Sequence, residues 1–168
     1  MKLFYLLLIS LPLIALELKT FQANFKQTIT DENNKTVVYE GTLLAKTPSS
    51  AKWIYTKPIS KDVYVDEYQI TVVEKDLEQA IIKDIDSTVD FIKLLQKAKR
   101  SNSNSYSTKI ENKIYTLKYK NELPYTVEYK DFLENRVKIT FINQIMNKEM
   151  NSSIFKPIIP LEYDVIVD

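Results

Sequence analysis

The chain has 168 residues and contains neither cysteine nor histidine, which excludes disulfide bonds, thiol chemistry and histidine-based acid–base or metal sites. Its 23 lysine and arginine residues are interspersed with 22 aspartate and glutamate residues, for a formal net charge of +1. A nucleic-acid-binding protein needs a clustered basic face, so we expect no nucleic-acid partner.

The chain begins with a segment typical of a secretory signal. Lys2 supplies a positive charge, Leu3–Leu16 is almost entirely apolar, and the small residue Ala15 lies near the end. This run is shorter than the roughly 20 apolar residues of a membrane-spanning helix. We therefore expect residues 1–15 to be a cleaved signal peptide and residues 16–168 to form a single domain. Because no cysteine can receive a lipid anchor, we expect this domain to be exported and released in soluble form.

Alternating apolar and polar residues predict an antiparallel meander after this segment. The first strand is Phe21–Ile29, whose odd-numbered positions are mostly apolar. The strands predicted to follow are Val37–Lys46, Ala51–Lys57, Asp62–Asp66, Gln69–Glu74 and Gln79–Ile85. With only 1 glycine in the chain, turns that require a positive φ must use Asn or Asp. Asp31–Asn34 and Lys120–Glu122 fit such turns.

The periodicity then becomes helical. Ser87 fits an N-cap with Asp90 three residues further on, and apolar residues recur at helical spacing as far as Ala98. We therefore predict one amphipathic helix over Ser87–Lys99, followed by a polar loop at Ser101–Ser107. Strands return at Lys113–Lys120, Tyr125–Lys130 and Arg136–Ile142. The pattern predicts an α+β, mainly β fold, with an antiparallel sheet curled into a partial, unclosed barrel under a small helical lid.

A sheet of about nine or ten strands is too wide for one helix to cover, so the pattern predicts a cleft or cavity on its concave face. The apolar residues expected to face inward are Phe21, Phe25, Leu43, Trp53, Tyr55, Val63, Val65, Ile70, Val72, Ile82 and Ile85. Such a cavity would bind an apolar ligand, because each buried methylene contributes roughly 0.8 kcal/mol. The alternative that these side chains simply fill the core stays open.

The residues do not indicate an enzyme. Without His and Cys, the candidates include the carboxylate pairs Glu74/Asp76 and Asp84/Asp86, and such pairs are more often solvent-facing turn or edge charges. The sequence contains no glycine-rich phosphate loop and no metal-ligand spacing. We therefore expect no catalytic residue, no metal and no cofactor.

Short segments follow one another along the chain in a specific order. They are FQANFKQ (Phe21–Gln27), EGTLLAKTP (Glu40–Pro48), KWIYTKP (Lys52–Pro58), DLEQAIIKD (Asp76–Asp84) and FKPIIPLEYDVI (Phe155–Ile166). In this order and spacing they resemble the LolA family of outer-membrane lipoprotein carriers. The resemblance extends over the mature chain and is strongest from Phe21 to Leu95.

The resemblance implies a periplasmic carrier that makes and breaks no covalent bond. The acyl chains of lipoproteins would enter the cavity of the half-barrel, under a lid formed by Phe91, Leu94 and Leu95. The implied partners are acylated lipoproteins, an inner-membrane ABC-type release complex and an outer-membrane acceptor, and we expect a monomer. The alternative is a periplasmic sensor or adaptor that uses the same half-barrel to detect misplaced lipoproteins or to bind a peptide partner.

The chain departs from the family pattern where the lid is expected to be held shut. The family has an Arg immediately before the proline that is Pro48 here, and hydrogen bonds from that Arg to the lid backbone are associated with closure. This chain has Thr47, which we take as the lid-latch position, and we expect a weaker latch. Lys46 should point to the opposite face of its strand and is a poor substitute. The family also has a helix before the first strand, where this chain offers only Leu16–Thr20.

Overall fold

The computed structural model describes residues 18–84, 91–101, 105–110 and 112–168, so the predicted signal peptide, Ile85 and the predicted N-cap Ser87 with its partner Asp90 lie outside the described residues. Within these ranges the chain forms one 12-stranded sheet and one α-helix. In chain order the elements are β1 Thr20–Thr30, β2 Thr36–Lys46, β3 Ser50–Lys57, β4 Lys61–Val65, β5 Gln69–Glu74, β6 Gln79–Asp84, α1 Phe91–Lys97, β7 Lys99–Arg100, β8 Ser105–Ile110, β9 Lys113–Lys120, β10 Leu123–Lys130, β11 Arg136–Met146 and β12 Asp164–Val167.

The sheet is unclosed, as the sequence predicts. Its strand order is β12-β6-β5-β4-β3-β2-β1-β11-β10-β9-β8-β7, so β12 and β7 are the two free edges. The long strand β1 joins the two halves, because it pairs with β2 on one side and with β11 on the other. All neighbouring strands run antiparallel except β12, which is parallel to β6. The prediction of a partial antiparallel barrel is confirmed.

The local predictions fail at two places. The polar run Ser101–Ser107 predicts a loop, but Ser105 already begins β8, which pairs with β9. The predicted helix end at Lys99 is also wrong, since α1 ends at Lys97 and Lys99 belongs to β7. Both errors lie at the free edge of the sheet, where main-chain pairing with the neighbouring strand forms β7 and β8. In β8, Tyr106 and Ile110 also pack against the main core, which the polar residues around Tyr106 do not indicate.

Asparagine does replace glycine in the turns. Asn34 and Asn121 have φ values of 61° and 51°, at the two turns that the sequence indicates. Further positive φ values occur at Asn112, Asn143 and Asn147, and at Ser49, Glu78, Glu122 and Glu134. Asn tolerates the left-handed region better than most residues, which accounts for its frequency here. Asp does not take this role at the described residues.

One row of residues defines the concave face of the first half of the sheet. In register across β2 to β6 the row consists of Leu43, Trp53, Val63, Val72 and Ile81. Partners directly opposite each other in an antiparallel ladder share a face of the sheet. The concave residue of β6 is therefore Ile81, not Ile82.

The opposite, outer face of β4 to β6 is covered by the C-terminal segment. Tyr64, Val73 and Ala80 are buried there, and Ile159 and Tyr163 pack against them. Ile82 lies in register with Thr71, on this same face. The prediction that Ile82 faces the cavity is therefore wrong.

Helix α1 lies on one end of the concave face. Its side chains Phe91, Ile92, Leu94 and Leu95 are buried against the main core. The Phe91 ring centroid is 5.2 Å from that of Phe21, which places the helix directly over β1. The small helical lid is thus present, and its most buried residue is Ile92, which the sequence pattern did not select.

Candidate functional site

A cavity of about 480 Å³ lies between α1 and the concave face. Strands β3 to β5 contribute Trp53, Tyr55, Val65 and Ile70 to its wall. Strands β9 to β11 contribute the facing residues Tyr115, Val127, Tyr129 and Ile139. Phe91 and Leu94 of the helix close one end. An interior of this composition favours an apolar ligand.

A larger depression of about 740 Å³ lies beside the β10–β11 hairpin, but most of the residues that line it are of polar or charged types. Lys130, Glu134 and Arg136 are among its residues, and Lys130 forms an ion pair of 2.9 Å with Glu134. Charged walls cannot replace the apolar contacts that an acyl chain needs when it leaves water. The smaller cavity is therefore the candidate site.

The predicted site residues divide into two groups. Those that line the cavity are Trp53, Tyr55, Val63, Val65, Ile70, Phe91 and Leu94. Phe21 and Leu43 have no exposed surface and belong to the core. Phe25 forms a second layer, with its ring centroid 5.1 Å from those of both Trp53 and Tyr55. Leu95 is buried in the same core.

Val72 shares the concave face with the cavity residues through its pairing with Val63, but it lies outside the lining. Sequence reasoning missed the wall that β9 to β11 provide. The alternation in these strands was visible, but nothing local shows that they lie opposite β3 to β5.

The β10–β11 hairpin reaches the mouth of the cavity. Asp131 and Phe132 line this mouth, and 81% of the surface of Phe132 is exposed. The Asp131 carboxylate accepts hydrogen bonds from the backbone N–H groups of Leu133 at 2.9 Å and Asn135 at 3.0 Å. These bonds fix the turn, so an apolar ring is held at the entrance.

The cavity also contains a polar group on strand β1. Gln27 is only 8% exposed, and its Oε1 accepts a hydrogen bond of 3.1 Å from the Tyr55 hydroxyl. Burial raises the pKa of Tyr55, and the nearby Tyr129 and Tyr39 raise it further. Burial likewise raises the pKa of Tyr129 to about 12, with smaller contributions from Tyr115 and Asp131. Both hydroxyls therefore remain neutral near neutral pH.

The helix is tied to the rim by residues other than Thr47. Nε2 of Gln96 donates to the Leu18 carbonyl at 2.9 Å, and Nζ of Lys93 lies 3.4 Å from Oγ of Ser49. The backbone N–H of Thr47 donates to the Lys19 carbonyl at 2.9 Å, and its hydroxyl lies 3.4 Å from the same oxygen. These Thr47 contacts connect two strand ends and do not reach α1.

Lys46 points away from the helix. Its Nζ donates to the Met150 carbonyl at 2.8 Å and to Oγ of Ser152 at 2.9 Å. It therefore fastens the C-terminal segment and does not substitute for a latch.

The carboxylate pairs considered in the sequence have ordinary partners. Glu74 accepts a hydrogen bond of 2.6 Å from Gln79, and Asp84 accepts one of 3.1 Å from Gln69. Asp76 lies in a short 3₁₀ turn, and Asp86 is outside the described residues. Across the ranges that the structure describes, no three acidic, His or Cys side chains cluster as a metal site would require.

None of the helices in the described ranges has the length and apolar character that crossing a membrane requires.

A half-barrel with an apolar cavity under a short helix is the arrangement that the family resemblance implied. Residues 17–122 match the family model described as outer membrane lipoprotein carrier protein LolA. The chain belongs to the LolA family. The match covers β1 to β9 and the whole of α1. It therefore includes the cavity wall formed by β3 to β5 and, of the facing wall in this LolA-family chain, strand β9.

Curated relatives agree with this assignment. The chain is 36% identical over 138 residues to the outer-membrane lipoprotein carrier protein of Helicobacter pylori strain J99. The aligned region covers 82% of this chain and 74% of that protein. It is 34% identical over 163 residues to the protein of the same name from Campylobacter jejuni, with 97% and 95% of the two chains covered.

Among solved structures, an uncharacterized conserved protein from Thermus thermophilus superposes with a TM-score of 0.56. The sequence identity is 9%, and the superposition covers 89% of this LolA-family chain and 91% of that one. At this identity the likeness shows the fold alone.

Proposed function

We propose that this chain is a periplasmic carrier that shields the acyl chains of lipoproteins in its cavity and moves them from the inner to the outer membrane. The observation that carries the proposal is the apolar cavity of about 480 Å³ between the helix and the half-barrel. The curated relatives named above are outer-membrane lipoprotein carrier proteins, which supports the same function.

The physical task is to keep an apolar anchor out of water without holding it permanently. Burial stabilises a long acyl chain by on the order of 10 kcal/mol, at roughly 0.8 kcal/mol per methylene. Ordering of the chain and movement of the helix offset part of this gain. The sheet has free edges, and one short helix covers its concave face in the part of the chain that the structure describes, so the cavity can open without breaking a closed barrel.

The proposal includes the route and the partners. Residues 1–15 act as the cleaved export signal, and residues 16–168 function as one monomeric domain. The carrier receives acylated lipoproteins from an inner-membrane ABC-type release complex and passes them to an outer-membrane acceptor. It transfers its cargo without catalysis and without a cofactor.

The first test uses Trp53, because it is the sole tryptophan and lines the cavity. Its ring packs edge-on against Phe25 at 5.1 Å and Phe91 at 6.1 Å, so an acyl chain that enters must change its surroundings. Titration of the mature protein with a palmitoylated peptide should shift or quench tryptophan emission in a saturable manner. The same peptide bearing an acetyl group is the control and should cause no change. Unchanged emission at saturating palmitoylated peptide would contradict the cavity assignment.

A second test examines the latch. Thr47→Arg places a charge-assisted donor beside the rim, where such bonds contribute about 1.5–3 kcal/mol. A more stable closed form should weaken the apparent affinity for a palmitoylated peptide about tenfold, because fewer molecules are competent to bind. Gln96→Leu removes the hydrogen bond from the helix to the Leu18 carbonyl, so the closed form becomes less stable. The apparent affinity for the same peptide should then increase by about twofold to tenfold. Equal or tighter binding by Thr47→Arg would mean that other contacts hold the helix.

Cargo identity separates this function from a sensor or adaptor. The mature chain, tagged and expressed in its native periplasm, should co-purify with several acylated lipoproteins. Recovery of a single non-acylated soluble protein instead would contradict the carrier function and favour an adaptor.

A further inference from the structure

Gln27 is an unusual residue to find in an apolar cavity. It lies on β1, is more than nine-tenths buried, and lines the site between the two walls. Its Oε1 accepts a hydrogen bond from the Tyr55 hydroxyl, and its Nε2 donates none of the hydrogen bonds seen among the residues that the structure describes. The buried side-chain atoms without a partner in the described ranges are Oδ1 of Asp62 and Oγ1 of Thr126, so Nε2 of Gln27 is accessible from the cavity that it lines. Its two N–H groups become costly when an apolar chain displaces water from them without offering an acceptor.

A second donor lies on the wall that β9 to β11 form. Tyr129 lines the same cavity, and its ring packs against that of Tyr115 with the centroids 5.1 Å apart. Gln27 is in register with Ile139 on β11 and, through it, with Val127 on β10, and Tyr129 lies two residues from Val127 on the same face. Tyr55 donates its hydroxyl hydrogen to Gln27 from the other side. The surrounding side chains include Val127 and Ile139, which can accept no hydrogen bond. The two neutral donors therefore lie between this apolar lining and the mouth of the cavity, to which the charged residues Lys113 and Asp131 contribute.

We propose that Gln27 and Tyr129 form a subsite that donates hydrogen bonds to the carbonyl oxygen of a fatty acyl ester or amide. This inference rests on the carrier function proposed above and deepens it, since the cargo of a lipoprotein carrier consists of acyl chains joined through such carbonyls. The carbonyl offers acceptors only, which complements donors that cannot ionise near neutral pH. The hydrocarbon chain then extends towards Trp53 and Phe91.

The subsite makes binding sensitive to one functional group. A cavity with a wholly apolar lining selects by chain length, whereas a site with buried donors rejects an analogue that leaves them unpaired. We therefore expect this protein to distinguish an acyl ester from the matching alkyl ether, in which a methylene replaces the carbonyl.

The experiment compares two peptides that differ only in that group, one with a palmitoyl ester on a serine and one with a hexadecyl ether on the same serine. The wild-type mature chain should bind the ester about tenfold more tightly than the ether. Gln27→Leu and Tyr129→Phe should each reduce this preference to about twofold or less, mainly by weakening ester binding. Tyr129→Phe removes one hydroxyl without changing the ring, so it remains interpretable if Gln27→Leu perturbs the fold.

Tyr119→Phe is the matched control. Tyr119 is partly buried and packs 4.8 Å from the Tyr106 ring, outside the cavity lining, so the loss of its hydroxyl should leave the ester preference unchanged. Equal affinities of the wild type for ester and ether, or a preference that survives both cavity substitutions, would overturn the subsite and leave the carrier function standing. If the wild type binds neither peptide, the carrier function and the subsite both fail.

The same carbonyl also occurs in phospholipids. A parallel comparison of palmitoyl lysophosphatidylcholine with its hexadecyl ether identifies the source of the group. An ester preference there that Gln27→Leu abolishes would support a subsite that serves phospholipids as well as lipoproteins. No binding of either lysolipid, together with the ester preference for peptides, would support a subsite reserved for acylated proteins.

Discussion

Val65→Glu should lower the affinity for an acylated peptide by about a hundredfold or more while the protein remains folded. Val65 ends β4, lines the cavity and is in register with Ala51 and Ile70 on the concave face. It is only half-buried, so a carboxylate there remains hydrated in the empty cavity. An entering acyl chain would strip that water away, at a cost of about 3 kcal/mol or more. Titration of both proteins with a palmitoylated peptide, followed by Trp53 fluorescence, measures the loss.

Ile142→Glu is the matched control for this charge. Ile142 lies on β11 with 54% of its surface exposed, opposite Asn24 on the outer face of the sheet. The same substitution there should change neither affinity nor melting temperature appreciably. Similar losses of affinity in both variants would argue against the cavity as the binding site, as would full affinity of Val65→Glu.

Phe91 would be a less selective probe than Val65. Its ring contacts those of Phe21 and Phe141 at centroid distances of 5.2 and 5.4 Å, and it is 7% exposed. A charged residue at this position would therefore disturb the core as well as the helix, so its effects on binding and on stability could not be separated.

Gly41→Ala should destabilise the protein by about 2–4 kcal/mol, the largest stability effect we expect from a single methyl group. Gly41 lies on β2 at a shift of register between β2 and β3. A Cβ at this position would overlap the carbonyl oxygen of Ile54 and lie 2.9 Å from Cε1 of Phe25. Backbone atoms cannot move aside as a flexible side chain can, so the two strands must separate. Thermal unfolding should show a fall of roughly 5–15 °C in melting temperature.

The control for this substitution is Thr42→Ala on the same strand. This substitution removes only an exposed hydrogen bond of 3.2 Å from the Thr42 hydroxyl to Asn24. The free energy of unfolding of the variant should therefore fall by about 1 kcal/mol or less. A melting temperature of Gly41→Ala as high as that of Thr42→Ala would show that β2 and β3 can absorb the extra methyl group. The glycine matters here for the close approach of two strands, since its φ is not positive.

Whether the sequence predicts which side chains of a strand face the cavity depends on how its neighbouring residues differ. The prediction is correct for β4 and wrong for β6. In β4, apolar Val63 and Val65 alternate with Asp62 and Tyr64, so the concave face could be read from the sequence. In β6, Ile81 and Ile82 are adjacent, and both faces look apolar. The outer face there is covered by the C-terminal segment, which a local pattern does not reveal.

The sequence by itself determined the family, the strands β1 to β6 and β9 to β11, and the apolar stripe of α1. These depend on alternation, helical spacing and turn residues, which act between near neighbours in the chain. Only the tertiary structure decided the composition of the cavity. The pairing of β1 with β11 brings Tyr129 and Ile139 opposite Trp53 and Tyr55, and the pairing of β12 with β6 buries the outer face. Such contacts join residues far apart in the chain through main-chain hydrogen bonds, which any residue type except proline can donate, so they leave no local pattern to read.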